Sequence, residues 1–489
     1  MKRIFEQYPF FLILLPAFVL IHLEKEFHQV ISYKFVIDRI IIFFVVPLLL
    51  LAIVYVFTKS LKKASLVSFI LSFFFFYTGE IKNWLSIEFP GSIWGRYSFL
   101  LPVMLIISVL LLYRIIKTSK TLNRLFFICN TGLLLFVVAD LVSIVYGFKK
   151  DKFQLANDIE LADTTCTGCE KPDIYYILLD NYTSSAVLRS NFSYPNDNFE
   201  NDLQQKGFRI LPGAKSNYPY TAFSLGSTFN MSYIRNVDTV NKMFDREYLQ
   251  ALKLVYNGRI FSFLEKEGYR IFNHSLFNIR HHPTTVNSFD NWGYRELFDQ
   301  YNLFLKIKQD VEPSFLKWAQ QLFGKNKYFI NDPANRLKLD SLVLQQLEET
   351  ARASTPEPKF VYAHFLRGHP PYASDSLGNK FVGKPATIEE AYIQQVAWCN
   401  RTIKSATDKI IANAKRPLVI IIQGDHGYQV YESPTDERKL AVFHAVYFSN
   451  GNYRLYPDSV TNVNTFRIVL NTFFKKNYPL LEDHGYFIR

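Results

Sequence analysis

Over its first 148 residues the chain alternates long apolar runs with short polar loops, and beyond them the rhythm changes. Five runs stand out, about Pro9 to Leu23, Ile40 to Phe57, Ala64 to Gly79, Ser98 to Tyr113 and Leu125 to Phe148. A membrane-spanning helix needs roughly 20 apolar residues, so flanking Tyr, Trp and Thr must complete the shorter runs. Lys2 and Arg3 precede the first run and no small-residue cleavage site follows it, which is the pattern of a retained anchor. The pattern predicts an α-helical bundle of five spans over 1–148, a polar linker over 149–171 and an outer domain over 172–489.

The short loops orient the bundle. Lys59, Lys62 and Lys63 lie between the second and third runs, and Arg114, Lys117, Lys120 and Arg124 between the fourth and fifth, with no acidic residue among them. Such loops stay in the cytoplasm. The other loops mix signs (Glu24, Lys25, Glu26, Asp38, Arg39; Glu80, Lys82, Glu88, Arg96), so they lie outside, and an odd number of spans places everything after Phe148 outside as well.

Past the linker, strand-like and helix-like patterns alternate. Asp173 to Leu179 reads as a strand, Asn198 to Lys206 as a helix, and Arg270 to Asn273 and Phe360 to Phe365 as strands. Ile388 to Ala414 then reads as a long amphipathic helix, with Leu418 to Ile422 and Val442 to Phe448 as further strands. Alternation of this kind predicts an α/β domain whose mostly parallel central sheet is covered on both faces.

The charge of +12 changes this picture little. Residues 1–150 hold 16 Lys or Arg against 7 Asp or Glu, leaving 39 against 36 for the remainder, so most of the excess is membrane topology and gives no signal for nucleic acid. Four cysteines are too few for a disulfide framework, and only Cys166 and Cys169 form a close pair, either oxidised locally or as two thiols.

Candidate chemistry gathers after two of the strands. Gln423-Gly424-Asp425-His426-Gly427 follows the apolar run Leu418 to Ile422, and Asp180 follows Leu179. Ligands bind at the carboxyl ends of such strands, and two carboxylates with an imidazole are the donors a zinc or manganese ion accepts. For Asp180 alone, capping of the next loop is the equal alternative. Thr221 falls where the polar stretch Ser216 to Tyr220 runs into a helical pattern. Its hydroxyl is either a simple N-cap or a nucleophile in the positive end of the helix dipole, where a phosphate is welcome.

The order Asp180, then Thr221 with Ala222 and Ser224 behind it, then Gly368-His369-Pro370-Pro371-Tyr372, then Asp425-His426-Gly427, resembles the alkaline phosphatase and sulfatase superfamily. Five spans ahead of such a domain resemble, more closely, the branch of lipoteichoic acid synthase and lipid A phosphoethanolamine transferase. The closing stretch from Asn464 to Phe474 is also similar to the end of bacterial sulfatase-like proteins. The resemblance implies that Thr221 is the covalent nucleophile, that Asp180, Thr221, Asp425 and His426 surround one divalent metal ion, zinc or manganese, and that His369 touches the phosphoryl group or the departing oxygen. His364, Arg367 and His274 are further candidates for substrate binding, with Arg280, His281 and His282 as candidates for an acceptor or lipid head-group pocket.

That branch usually opens its ligand set with glutamate, whereas Asp180 matches sulfatases and phosphatases. No Cys or Ser stands in the Cys-x-Pro-x-Arg context of a formylglycine sulfatase, and no second set of ligands suggests a two-metal phosphatase. The expectation is a multi-pass enzyme of the bacterial plasma (inner) membrane with a periplasmic catalytic domain. It would move a phosphoglycerol or phosphoethanolamine head group from a phospholipid donor to a glycan, lipid or polymer acceptor of the cell envelope through a phospho-threonine. The alternatives are a hydrolase of phosphate or sulfate esters and a non-catalytic scaffold for envelope assembly.

Overall fold

The computed structural model describes residues 2–27, 33–89, 91–118, 121–146, 152–157, 159, 165–237, 245–286, 333–370, 372, 374–381, 385, 387–431 and 433–488. Parts of the expected linker (149–151, 158 and 160–164), the end of the fifth apolar run (147–148) and Pro371 lie outside them. The chain divides into two compact units, one built on Met1–Lys150 and the other on Asp151–Asp290 with Tyr328–Arg489.

Each apolar run of the first unit falls on one helix: Phe11–Phe27, Tyr33–Thr58, Leu61–Glu88, Tyr97–Lys117 and Asn123–Tyr146. Among the described residues three stretches, Leu61–Ser86, Tyr97–Lys117 and Asn123–Tyr146, are long and apolar enough to cross a membrane, and Phe43–Thr58 is a shorter apolar helix. Two polar side chains inside this unit, Asp140 and Asn130, find partners, as an apolar medium favours. Asp140 takes His22 Nδ1 at 2.8 Å and Lys25 Nζ at 2.5 Å. The Asn130 side chain accepts from the Phe11 N–H at 2.7 Å and donates to the carbonyls of Phe5 and Tyr8, both at 2.8 Å, which fixes the start of the first long helix. Asn130→Ala strips three backbone groups of their partner, so in detergent it should lower the unfolding temperature of the full-length protein, at about 1–3 kcal/mol for a buried group left unmade. An unchanged melting curve would show that water reaches these groups.

In the second unit six strands form one sheet: β1 Asp173–Leu179, β2 Arg209–Ile210, β3 Arg270–His274, β4 Lys359–Phe365, β5 Leu418–Gly424 and β6 His444–Phe448. Their order is β2-β6-β5-β1-β4-β3, and β6 alone runs against the rest. Every residue of β1, β4 and β5 is buried, which is why these strands read as unbroken apolar runs. Tyr176 and Tyr362 put their rings against Phe229 of the helix Thr221–Asn230, while Phe365, of opposite parity on β4, meets Trp398 of the helix Ile388–Asn413. Both faces are therefore covered.

Most expected elements appear within a residue or two. The last strand begins at His444, not Val442, because Val442 is taken by an isolated bridge to Thr183. Sequence reading missed the helices Asp245–Tyr256, Arg259–Lys266 and Pro333–Arg352 and the two-residue strands. Gln154–Leu155, inside the expected linker, pairs with Ile234–Arg235, and Phe153 is buried against Phe223, so this stretch belongs to the domain's surface layer. Cys166 and Cys169 form a disulfide.

Candidate active site and metal centre

Three neighbouring parallel strands, β5, β1 and β4, bring the site together. Leu179 stands level with Gly424 on one side and Phe365 on the other, so Asp180 and Asp425 emerge side by side, with the turn Leu366–His369 next to them. The backbone after β1 turns sharply through Asn181, which holds φ at 58°. Its N–H donates to Asp425 Oδ1 at 2.9 Å, as does the N–H of His426. The Asn181 side chain reaches both flanking loops, donating to the Gly368 carbonyl at 2.7 Å and accepting from the Gln429 N–H at 3.1 Å. Gly368 is required here, since a β-carbon would collide with the Asp180 carbonyl.

Thr221 is the first residue of its helix. The N-cap position falls on Tyr220, which makes no side-chain cap bond, so the reading of Thr221 as a simple cap is corrected. Its hydroxyl instead lies 3.4 Å from His426 Nε2. On the far side, His426 Nδ1 lies 3.0 Å from the Gly427 carbonyl and 3.2 Å from Gln429 Nε2, so Nε2 is the ring nitrogen that faces the site.

Three facing atoms test whether a cation fits. Asp180 Oδ1 and Asp425 Oδ2 are buried without a hydrogen-bond partner, and His426 Nε2 stands 3.8 and 3.3 Å from them. Ligand atoms of Asp180, Asp425 and His426 all lie within 4.8 Å of one another. Electrostatics agree. Burial pushes Asp180 up, but the hydrogen bond from His364 and the charges of His369, His426 and His364 outweigh it and hold the carboxyl at about 2. Burial, followed by the charge of Asp180, pushes Asp425 up. Two adjacent buried carboxylates resist joint ionisation unless a cation sits between them, and an oxygen, oxygen and nitrogen donor set suits a divalent ion. The residues fit the group.

The remaining candidates divide. His364 is fully buried, with Nε2 3.6 Å from Asp180 Oδ2 and Nδ1 3.2 Å from the Tyr362 hydroxyl, so it backs the first carboxylate from the side away from His426. His369 is exposed at the rim, its Nδ1 donating to the Pro370 carbonyl at 2.6 Å. Arg367 is used in packing: the guanidinium stacks 3.9 Å over Trp398, donates to Ser374 at 3.0 Å and lies 3.7 Å from Asp340. His274 spends both ring nitrogens on Thr285 and Thr350, at 2.9 and 2.8 Å, and burial pushes it down to about 4. His281 and His282 both face Glu265, and Arg280 donates its N–H to the Tyr256 carbonyl. The structure does not bring these last five into the cluster.

Several contributors carry no sequence motif. Asn181 and Gln429 fix the turns. The Tyr248 hydroxyl hydrogen-bonds to Thr221 and to the Ala222 backbone, and burial, then the charges of Asp180 and Asp425, push its phenol up, so it stands as a neutral group beside Thr221. An Asn immediately after a strand and an acidic residue is a detectable turn signal. Nothing near Tyr248 in the sequence points to the site.

The Sulfatase family profile matches residues 172–478, more than half of the chain. The chain belongs to the sulfatase family. Its expected place in the alkaline phosphatase superfamily follows, and the metal-dependent chemistry of that fold agrees with the donor set above. Solved structures similar to this sulfatase-family chain include the integral membrane lipooligosaccharide phosphoethanolamine transferase A of Neisseria meningitidis, at 12% identity over 93% of this chain and 95% of that one, TM-score 0.38. Another is the C-terminal periplasmic domain of EcEptC from Escherichia coli in complex with zinc, at 12% identity over 66% and 85%, TM-score 0.37. A third is an alkaline phosphatase superfamily protein of Vibrio parahaemolyticus, at 12% identity over 64% and 68%, TM-score 0.37. No curated protein matches the sequence.

Proposed function

We propose that this protein is a plasma-membrane transferase that takes a phosphoglycerol or phosphoethanolamine head group from a phospholipid and passes it, through phospho-Thr221, to a hydroxyl of an envelope glycan, lipid or polymer. The observation that carries the reading is the buried meeting of the Thr221 hydroxyl with His426 and two partnerless carboxylate oxygens, in a chain that among its described residues also has three helices long and apolar enough to cross a membrane. All five apolar helices would span, in the layout 1–148, 149–171 and 172–489, with the basic loops in the cytoplasm and the catalytic domain in the periplasm.

In the first step Thr221 Oγ bonds to phosphorus and the ester bond to the glyceride oxygen breaks, so diacylglycerol leaves carrying the proton that Thr221 gave up. His369, at the rim, is placed to carry that proton and to contact the transferring oxygens. In the second step the acceptor hydroxyl attacks phosphorus, Thr221 Oγ leaves, and the acceptor's proton returns to it. Asp180, Asp425, His426 and Thr221 would hold a zinc or manganese ion, which supplies charge neutralisation for the phosphoryl oxygens and for Thr221. Burial of the cluster keeps water from the phospho-threonine, and Tyr248 adds a donor beside the attacked oxygen.

Hydrolysis of phosphate or sulfate esters is the second reading, favoured by the family match and by aspartate at the first ligand position. One incubation separates the two. Given vesicles of head-group-labelled phosphatidylethanolamine or phosphatidylglycerol and no acceptor, the transferase should hold label on Thr221 and release diacylglycerol, with little free phosphorylated head group. Catalytic release of soluble labelled product would make it a hydrolase.

A further inference from the structure

Ser224 stands one turn after Thr221, so the two side chains leave the same face of the helix. A helical serine or threonine commonly returns its proton to the carbonyl four residues back, and Thr228 does so, donating to the Ser224 carbonyl at 2.8 Å. Ser224 does not. Its Oγ crosses to the main-chain carbonyl of Asp425 and donates at 2.6 Å, between residues 201 positions apart.

The carbonyls beside the ligand pair are gripped from a second direction. Asn462 Nδ2 donates to the Gly424 carbonyl at 3.0 Å, and Gln423 Nε2 donates to Asn462 Oδ1 at 2.7 Å. At the Thr221 end of the helix Tyr220 makes no side-chain cap bond, the N–H groups of Phe223 and Ser224 close the first turn on the Tyr220 carbonyl, and the Tyr248 hydroxyl holds Thr221 and the Ala222 backbone. None of these bonds reaches the main chain of Asp425, so the lateral position of Thr221 against Asp425 and His426 depends on the next hydroxyl along the same face.

We propose that Ser224 is a positioning residue that fixes the register between the Thr221 hydroxyl and the Asp425–His426 pair, and so governs both halves of the transfer. The proposal rests on the reading of Thr221 as nucleophile. Thr221 attacks in the first step and leaves in the second, so a misplaced first turn slows both. Displacements of about 1 Å cost on the order of 10²-fold in rate.

Ser227 supplies the control. It lies on the same helix, is fully buried, and donates to the Ser232 carbonyl at 2.8 Å, a bond within its own chain segment. Ser224→Ala and Ser227→Ala each delete one buried hydroxyl-to-carbonyl bond, and Ser224→Ala also removes the acceptor of a 3.3 Å bond from Ser216 Oγ, so both full-length variants should unfold at lower temperature, Ser224→Ala by slightly more. With the labelled vesicles, only Ser224→Ala should lower kcat for labelling of Thr221, by roughly 10- to 100-fold, with KM for the donor and zinc bound per chain unchanged. Ser224→Cys keeps the volume and weakens the donor, and it gives the same readout if the alanine variant does not fold. Labelling at the rate of Ser227→Ala, or a loss carried in KM or in zinc content, overturns the proposal. A wild type that takes no label from either vesicle refutes Thr221 as nucleophile, and Ser224 falls with it.

Discussion

Thr221→Ala should leave a folded, metal-binding protein that transfers nothing. The hydroxyl lies 3.4 Å from His426, shares a hydrogen bond with Tyr248 and caps no helix, so its loss costs about 1 kcal/mol and the melting curve should move little. Turnover should fall on the order of 10⁴-fold or more, as when a covalent nucleophile is deleted. Asp180, Asp425 and His426 remain in place, so zinc should still bind, more weakly by one ligand. The discriminating measurement is label retained on the protein after acceptor-free incubation: wild type keeps it and Thr221→Ala does not. Label on the variant would move the nucleophile elsewhere, and unimpaired transfer would remove Thr221 from the mechanism.

Asp425→Asn should separate metal binding from folding. Asp425 Oδ1 accepts from two backbone N–H groups, a role an amide oxygen can fill, while Oδ2 faces the site without a partner. In metal-free protein the substitution removes a carboxylate that burial and the Asp180 charge both disfavour, so the apo variant should melt no lower than apo wild type. Zinc at 100 times its Kd should stabilise wild type by about 2.7 kcal/mol, several degrees in unfolding temperature, and leave the variant unmoved. Chelation of wild type should abolish activity and reproduce the variant's melting curve. His426→Ala should also lose the zinc response. If both variants keep the full zinc-induced shift, Asp425 and His426 are not ligands.

The parts of the fold legible in the sequence are those decided by local pattern. β5 announces itself because Leu418 to Ile422 is an unbroken apolar run that only a strand buried on both faces would use, and Asp425 follows it at the edge where such sheets bind ligands. Asp180 was legible for the same reason. Thr221 was placed within one position, yet whether it capped the helix or faced the acidic cluster depended on His426, 205 residues away. For Arg367 and His274 the sequence could not show the side chain's direction: Arg367 follows β4 and His274 ends β3, but Arg367 turns to Trp398 and His274 to two threonines. Ser224, Asn462 and Tyr248 were illegible because their partners lie on other elements. The short strand β2 escapes detection since two residues show no period.

The central position of β1 has a consequence for the order in which the protein is made. β1 pairs on one side with β4 and on the other with β5, and Asn181 meets Asp425 across 244 residues of sequence. A ribosome adding 5–20 residues per second separates those two residues by tens of seconds. For most of that interval, until β4 is made, a strand as apolar as Ile174 to Leu179 lacks both of its lasting neighbours, and throughout it Asp180 lacks Asp425 and His426 beside it. The candidate site is therefore assembled late in synthesis, when β5 slots in beside β1 and folding closes one of the long loops of the domain.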